Sequence, residues 1–126
     1  QPGGRADIAG YGTTRRSIAN ISELSAYLWR KNIGHDVYTT GEHSLACQIK
    51  AFSRATHISG IYGAEWGNLV WTSETVRCRV LKPQAMTQDR SIENLATKVN
   101  RVALFPPVEG PHPHDDVNGL ASFFTN

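Results

Sequence analysis

Short β-type runs alternate with amphipathic helical segments along this chain, and that alternation is what most restricts its fold. The order reads helix, strand, helix, strand, helix, strand, helix, strand. Strands separated by whole helices are joined by crossovers, and crossovers of that length connect parallel neighbours. The pattern therefore predicts an α/β, Rossmann-like fold: a mostly parallel sheet with helices on both faces.

Local pattern places the elements. Asn20-Ile-Ser-Glu23 reads as a capping box, with Asn20 accepting a backbone N–H and Glu23 returning the bond. Ile21, Leu24, Ser25 and Leu28 continue at helical spacing, and Asn32-Ile-Gly34 supplies the stop. Residues 35–39 form a strand candidate centred on Asp36-Val-Tyr38. Ser44 caps a second helix carrying Leu45, Ile49 and Phe52, which should end near Arg54-Ala55. Residues 56–61 read as a strand running into Gly63, where a helix through Leu69 and Val70 begins. In residues 76–81, Val76, Cys78 and Val80 alternate with Arg77 and Arg79, and Pro83 ends the strand. Ile92, Leu95 and Val99 mark another amphipathic helix, and residues 102–105 a last short strand. The glycine-bearing segment 1–16 is expected to be a loop, as is the Pro- and His-rich stretch 106–116, with 117–126 a short helix or frayed end. The expected division is a Rossmann-like unit over 1–105, its N-terminal strand truncated, and a C-terminal segment over 106–126.

At 126 residues, 40% hydrophobic and 19% charged, the chain has enough apolar surface for one domain with its own core. The net charge of +2 is small, and only Arg15-Arg16 and Arg30-Lys31 are adjacent basic pairs, so nucleic acid is not an expected partner. No apolar run approaches the roughly 20 residues that span a bilayer. The chain opens on Gln1 without a basic-then-apolar leader, which suggests a processed chain or an excerpt. Cys47 and Cys78 have neither CxxC nor metal-ligand spacing. Cys47 is expected to be a small buried hydrophobe.

In an open parallel sheet the ligand lies beyond the carboxyl ends of the strands. The sharpest candidate is Ile58-Ser-Gly-Ile-Tyr-Gly-Ala-Glu-Trp-Gly-Asn68, where a strand arrives, glycines let the backbone turn, and a helix starts with unpaired N–H groups that suit a diphosphate. A second cluster, His112-x-His114-Asp115-Asp116, has metal-ligand chemistry, but a proline-stiffened solvated loop is the simpler reading. His35, His43 and His57 read as surface or strand-end residues. Trp29, Trp66 and Trp71 could stack on a sugar or base, with packing in a core or interface the plainer role.

The order of these segments carries a resemblance. Arg15-Arg16-x-Ile18-x-Asn20-x-x-Glu23-Leu24 is followed by Leu45-x-x-Gln48-Ile49-x-x-Phe52-x-x-Ala55, then Ile58-x-Gly60-x-x-Gly63-Ala64-x-x-x-Asn68-Leu69, then Val80-Leu81-x-Pro83. Together they resemble the C-terminal domain of family 61 glycosyltransferases, over residues 5–83. The resemblance implies one half of a GT-B fold: the half that binds a nucleotide-sugar donor, in an enzyme that transfers the sugar with inversion to a glycan or glycoprotein acceptor. It implies no tightly bound metal or other cofactor, and a further N-terminal domain as partner. Carried over by position, Tyr62, Gly63 and Ala64 would lie against the donor diphosphate with Asn68 on the same helix, and Arg5, Arg15 and Arg16 would neutralise phosphate charge. Tyr62 stands where the family usually has His, and can donate one hydrogen bond without carrying charge. Glu65 would repel a diphosphate unless it points away. Gln48 and Asn20 also match family positions, where structural roles are open to them.

No catalytic base can be nominated, and the chain alone is expected to be inactive in transfer. An exposed interface for the other domain would favour self-association. Localisation stays open: cytoplasmic or membrane-associated for a bacterial member, the secretory lumen for a eukaryotic one. Two other classes stand beside this reading. One is a non-catalytic nucleotide-binding or interaction domain of the same fold; the other is a metal-dependent hydrolase using His112, His114 and Asp115.

Overall fold

A computed structural model describes residues 6–9 and 18–126. Along the chain run β1 (Ala6–Ala9), α1 (Ile21–Arg30), β2 (Asp36–Tyr38), α2 (Leu45–Arg54), β3 (His57–Ile61), an eight-residue 3-10 helix (Ala64–Trp71), β4 (Arg77–Pro83), α3 (Ser91–Lys98), β5 (Val102–Leu104), β6 (Pro107–Val108) and α4 (Val117–Thr125). The strands form a sheet in the order β2-β1-β3-β4-β5, with β6 added against the end of β4. Every pairing is parallel. The α/β, Rossmann-like expectation holds.

Strand period sets the two faces of the sheet. Ile58, Cys78 and Val80 point to one side, where Phe52 of α2, Trp66 and Leu69 of the 3-10 helix, and Ile92 and Ala96 of α3 complete a core. Ile61 and Leu81 point to the other, against Leu24 and Leu28 of α1 and Leu120, Phe123 and Phe124 of α4. The central strands are thus covered twice, as parallel strands in a layered α/β fold must be.

Three expectations change. Residues 6–9, read as loop, are β1, a central strand paired to both β2 and β3. A four-residue strand with small residues carries too little alternation to be recognised by period, and its neighbours supply the pairing. The Pro- and His-rich stretch contains β6, whose register Lys82↔Pro107 and Pro83↔Val108 extends the sheet. Its proline sits on a strand flank, where the missing N–H is tolerated. The third concerns Asn20, which precedes α1 but makes no side-chain cap there. Its amide instead donates to Glu23 Oε1 (2.9 Å) and to the Asp115 carbonyl (2.9 Å), and accepts from the Asp115 N–H (2.8 Å). Asn20 therefore pins the start of α1 to the approach of α4. Ser44 does cap α2 as expected, accepting from the Cys47 N–H at 3.2 Å.

Residues 106–126 return to the sheet rather than trailing from it. Asp116 caps α4 through the Gly119 N–H at 2.8 Å. Among the described residues no helix is long and apolar enough to cross a membrane.

Candidate functional site

The strand order reverses between β1 and β3: from β1 the sheet grows outward one way to β2 and the other way to β3, β4 and β5. Adjacent crossovers leave such a point on opposite faces, opening a crevice beyond the strand ends. β3 leaves it through Tyr62, Gly63 and Ala64, all of which line a cleft of about 400 Å³ between the 3-10 helix and α3. Gly67, Met86, Asp89, Ser91, Ile92 and Leu95 complete the lining. Gly63 is buried and fully extended (φ −177°, ψ 178°). Any residue adopts that conformation, so the turn does not need glycine for backbone strain. The helix that follows is 3-10, and the Trp66 N–H is already bonded to the Gly63 carbonyl at 3.2 Å. It offers an anion fewer free N–H groups than the first turn of an α-helix would.

Tyr62 is anchored. Its ring is 1% exposed, and its hydroxyl lies 2.8 Å from Glu93 Oε1, 3.2 Å from Asp89 Oδ1 and 3.1 Å from the Asp89 carbonyl, while accepting from the Ile92 N–H at 3.1 Å. One phenolic proton cannot serve these acceptors and a phosphate at full strength together. Burial, chiefly, raises its pKa above the ordinary phenol value. Lys82, from β4, closes the group: its ammonium donates to Glu93 Oε2 (2.5 Å) and the Asp89 carbonyl (2.6 Å) and stands 5.0 Å from the Tyr62 ring centre. Burial works against the Glu93 carboxylate, but the hydrogen bonds from Lys82 and Tyr62 outweigh it and hold the pKa below its ordinary value.

Asn68 is on the same helix as Ala64, yet it serves the scaffold. Its amide donates to Gln48 Oε1 (3.1 Å) and the Glu65 carbonyl (3.0 Å), and Gln48 donates in turn to the carbonyls of Thr40 and His43. Asn68 and Gln48 tie the 3-10 helix to α2 and to the loop after β2. Glu65 is buried, and its two carboxylate oxygens have no hydrogen-bond partner among the described residues. Desolvation pushes its pKa up to about 8, so at neutral pH it is mostly the uncharged acid. The repulsion expected between Glu65 and a diphosphate is correspondingly small. Arg5, Arg15 and Arg16 lie outside the described residues.

The family model described as Glycosyltransferase 61 matches residues 11–81, more than half of the chain. The chain belongs to glycosyltransferase family 61. No curated protein matches it. Its membership carries a role in glycosyl transfer, and the matched span includes the turn at Tyr62, Gly63 and Ala64 while stopping before Asp89 and α3.

Of the cluster His112, His114 and Asp115, the two histidines are exposed and only Asp115 is buried. Asp115 is buried in a bidentate pair with Arg79, at 2.6 and 2.8 Å. Arg79 is thereby also explained: it alternates with buried apolar residues but points into the α1–α4 side, where Asp115 neutralises it. No group of three His, Cys, Asp or Glu among the described residues could hold a metal. His35 is not at the surface; it is buried, accepting or donating with Ser25 Oγ at 2.7 Å and with the Ile33 carbonyl at 2.9 Å. Cys47 is exposed, on the outer face of α2. Trp66 is core, its indole N–H donating to the Ile61 carbonyl at 2.9 Å, whereas Trp29 and Trp71 are exposed. The cleft residues that sequence reasoning missed are Met86, Asp89, Ser91, Ile92 and Leu95 on its α3 side. An acidic residue following the next strand after a glycine turn was the available signal.

Proposed function

We propose that this family 61 chain binds the nucleotide-sugar donor, with the diphosphate at the Tyr62–Gly63–Ala64 turn. The observation that carries this is the cleft itself: about 400 Å³, open at the carboxyl ends of the strands and next to the point where strand order reverses. Transfer proceeds with inversion to a glycan or glycoprotein acceptor and without a tightly bound metal, the base that deprotonates the acceptor hydroxyl coming from another domain. Arg5, Arg15 and Arg16 supply the positive charge that Tyr62 cannot. Titration with a panel of UDP-, GDP- and CMP-sugars tests this. Saturable binding to one base is expected, weakened tenfold or more, on the order of 1.4 kcal/mol, by Arg15→Ala or by bulk at Ala64 or Gly63. Binding that none of these substitutions touches would sink the placement.

One observation favours a second reading, a domain that keeps the fold without the chemistry: the Tyr62 proton is directed into Glu93 and Asp89 rather than to a ligand. Silence across the whole panel would favour that reading.

A further inference from the structure

The face of the sheet covered by α1, opposite the one that carries the 3-10 helix and α3, holds a serine–histidine pair. Leu24 and Leu28 bury the inner stripe of α1, which leaves Ser25 half-buried at its rim. The helix ends in a Schellman turn. Asn32 takes the left-handed conformation (φ 59°), and the N–H groups of Asn32 and Ile33 return to the carbonyls of Trp29 (3.0 Å) and Leu28 (2.9 Å). That reversal brings His35, just before β2, back alongside Ser25. His35 is 2% exposed, with Nδ1 2.9 Å from the Ile33 carbonyl and Nε2 2.7 Å from Ser25 Oγ. A carbonyl oxygen only accepts, so Nδ1 carries a proton, and in the neutral imidazole Nε2 accepts from the Ser25 hydroxyl. A serine inside a helix ordinarily bonds back to a carbonyl of the preceding turn; Ser25 donates to a base.

Ser25 also lines an open groove of about 490 Å³, together with Ile21, Ser22, Ala26, Trp29 and Val37. The nucleophile therefore faces the groove, the base is buried behind it, and a third group fixes the base, which is the arrangement nucleophilic catalysis requires. We propose that Ser25 and His35 form a nucleophile–base dyad that takes the acyl group from esters of small apolar acids and passes it to water. Ser25 Oγ forms a bond to the ester carbonyl carbon while its proton moves to His35 Nε2. The ester C–O bond then breaks, and the alcohol leaves with that proton. Water, giving its proton to the same Nε2, cleaves the acyl-serine to release the acid and restore the hydroxyl. Ser22, one turn earlier on the same helix face, is the donor available to the carbonyl oxygen as it gains charge. The Trp29 ring lies over the imidazole (ring centres 4.6 Å apart), where its π-face favours the transient imidazolium. The groove walls are otherwise apolar, which selects an uncharged acyl group. This site is independent of the donor-binding reading.

The test treats the whole chain with an alkyl fluorophosphonate and with p-nitrophenyl acetate and butyrate, reading the modified residue by peptide mass spectrometry and turnover by nitrophenolate release. Cys47 is an exposed thiol that would itself take an acyl group, so the ester assay is run in a Cys47→Ser background. Ser25 is expected to be phosphonylated about 10²–10⁴ times faster than Ser22, the range that a positioned general base contributes. That difference should vanish in urea, where the dyad is dispersed. Ser25→Ala, an ordinary helix residue at a half-buried position, should lower ester turnover at least tenfold. Labelling of Ser25 no faster than of Ser22, or equally fast in urea, overturns the activated nucleophile and needs no variant to be seen. Ester turnover that survives Ser25→Ala overturns the acyl-transfer role.

Discussion

At the scale of single residues, Glu65 is an acid buried among the core residues of the 3-10 helix. Both of its oxygens are buried without a described partner, and its pKa rises to about 8. An acid whose folded pKa lies above its unfolded one holds a proton that the unfolded chain releases. Its contribution is therefore full below about 4.5, the unfolded value, and is lost as pH rises toward 8. Glu65→Gln keeps the shape and cannot ionise. Relative to the unsubstituted chain, it should gain on the order of 1 kcal/mol or more at pH 8 and show little gain near pH 4, read as Tm against pH. An equal difference at both pH values would show that Glu65 stays charged when folded. Arg79 and Asp115 make the opposite case, a buried pair whose charges are matched. Removing one partner leaves the other buried alone, so Asp115→Ala should cost about 3–5 kcal/mol in denaturant unfolding. Arg79 was legible as a strand residue but not as a buried one, because its partner lies far along the chain, in the segment read as solvated.

At the scale of elements, α4 supplies three buried residues, Leu120, Phe123 and Phe124, to the core on the α1 side of the sheet. Phe123 and Phe124 meet Leu24, Leu28, Ile61 and Leu81 on the α1 side of the sheet. Large apolar side chains at 7% and 8% exposure are interior residues, so Phe124→Ala should cost about 3–5 kcal/mol, measurable by urea unfolding. A loss below 1 kcal/mol would mean that α4 is not docked as described. The helices α1, α2 and α3 and the strands β3 and β4 were readable because each has either an apolar stripe or enough alternation to set its period. β1 and β6 were not: at four and two residues, they are strands only through the backbone bonds that neighbours offer. Asn20 and Glu23 had the spacing of a capping box, but a closer competitor in space, the backbone of Asp115, took the amide.

For the molecule as a whole, donor binding in the cleft, as proposed, would couple binding to stability. A ligand that binds only the folded chain stabilises it by about 2.7 kcal/mol at a hundred times its Kd. Saturating the preferred nucleotide-sugar should raise Tm by roughly 10 °C for a chain of this size, and Ala64→Trp, which fills the mouth of the cleft, should remove most of that rise. An unchanged Tm at concentrations that saturate a direct binding signal would place the ligand on a surface shared with the unfolded chain. The glycine turn at the mouth of this cleft was visible in sequence because strand, glycines and helix follow one another directly. The α3 side was not, since Asp89, Ser91 and Leu95 reach it only when β4 is laid beside β3 in register.

The sequence by itself determined the alternation of elements, hence the parallel α/β class, the family, and the turn at Gly63 and Ala64. These depend on period and local order, which a chain carries without its fold. Tertiary structure alone decided the pairing of β1, the burial of Arg79 with Asp115, the commitment of Tyr62 to Glu93, and the mixed chemistry of the cleft's α3 side. Each of those is a contact between residues distant in the chain, and its energy depends on desolvation and geometry that exist only once the sheet has assembled.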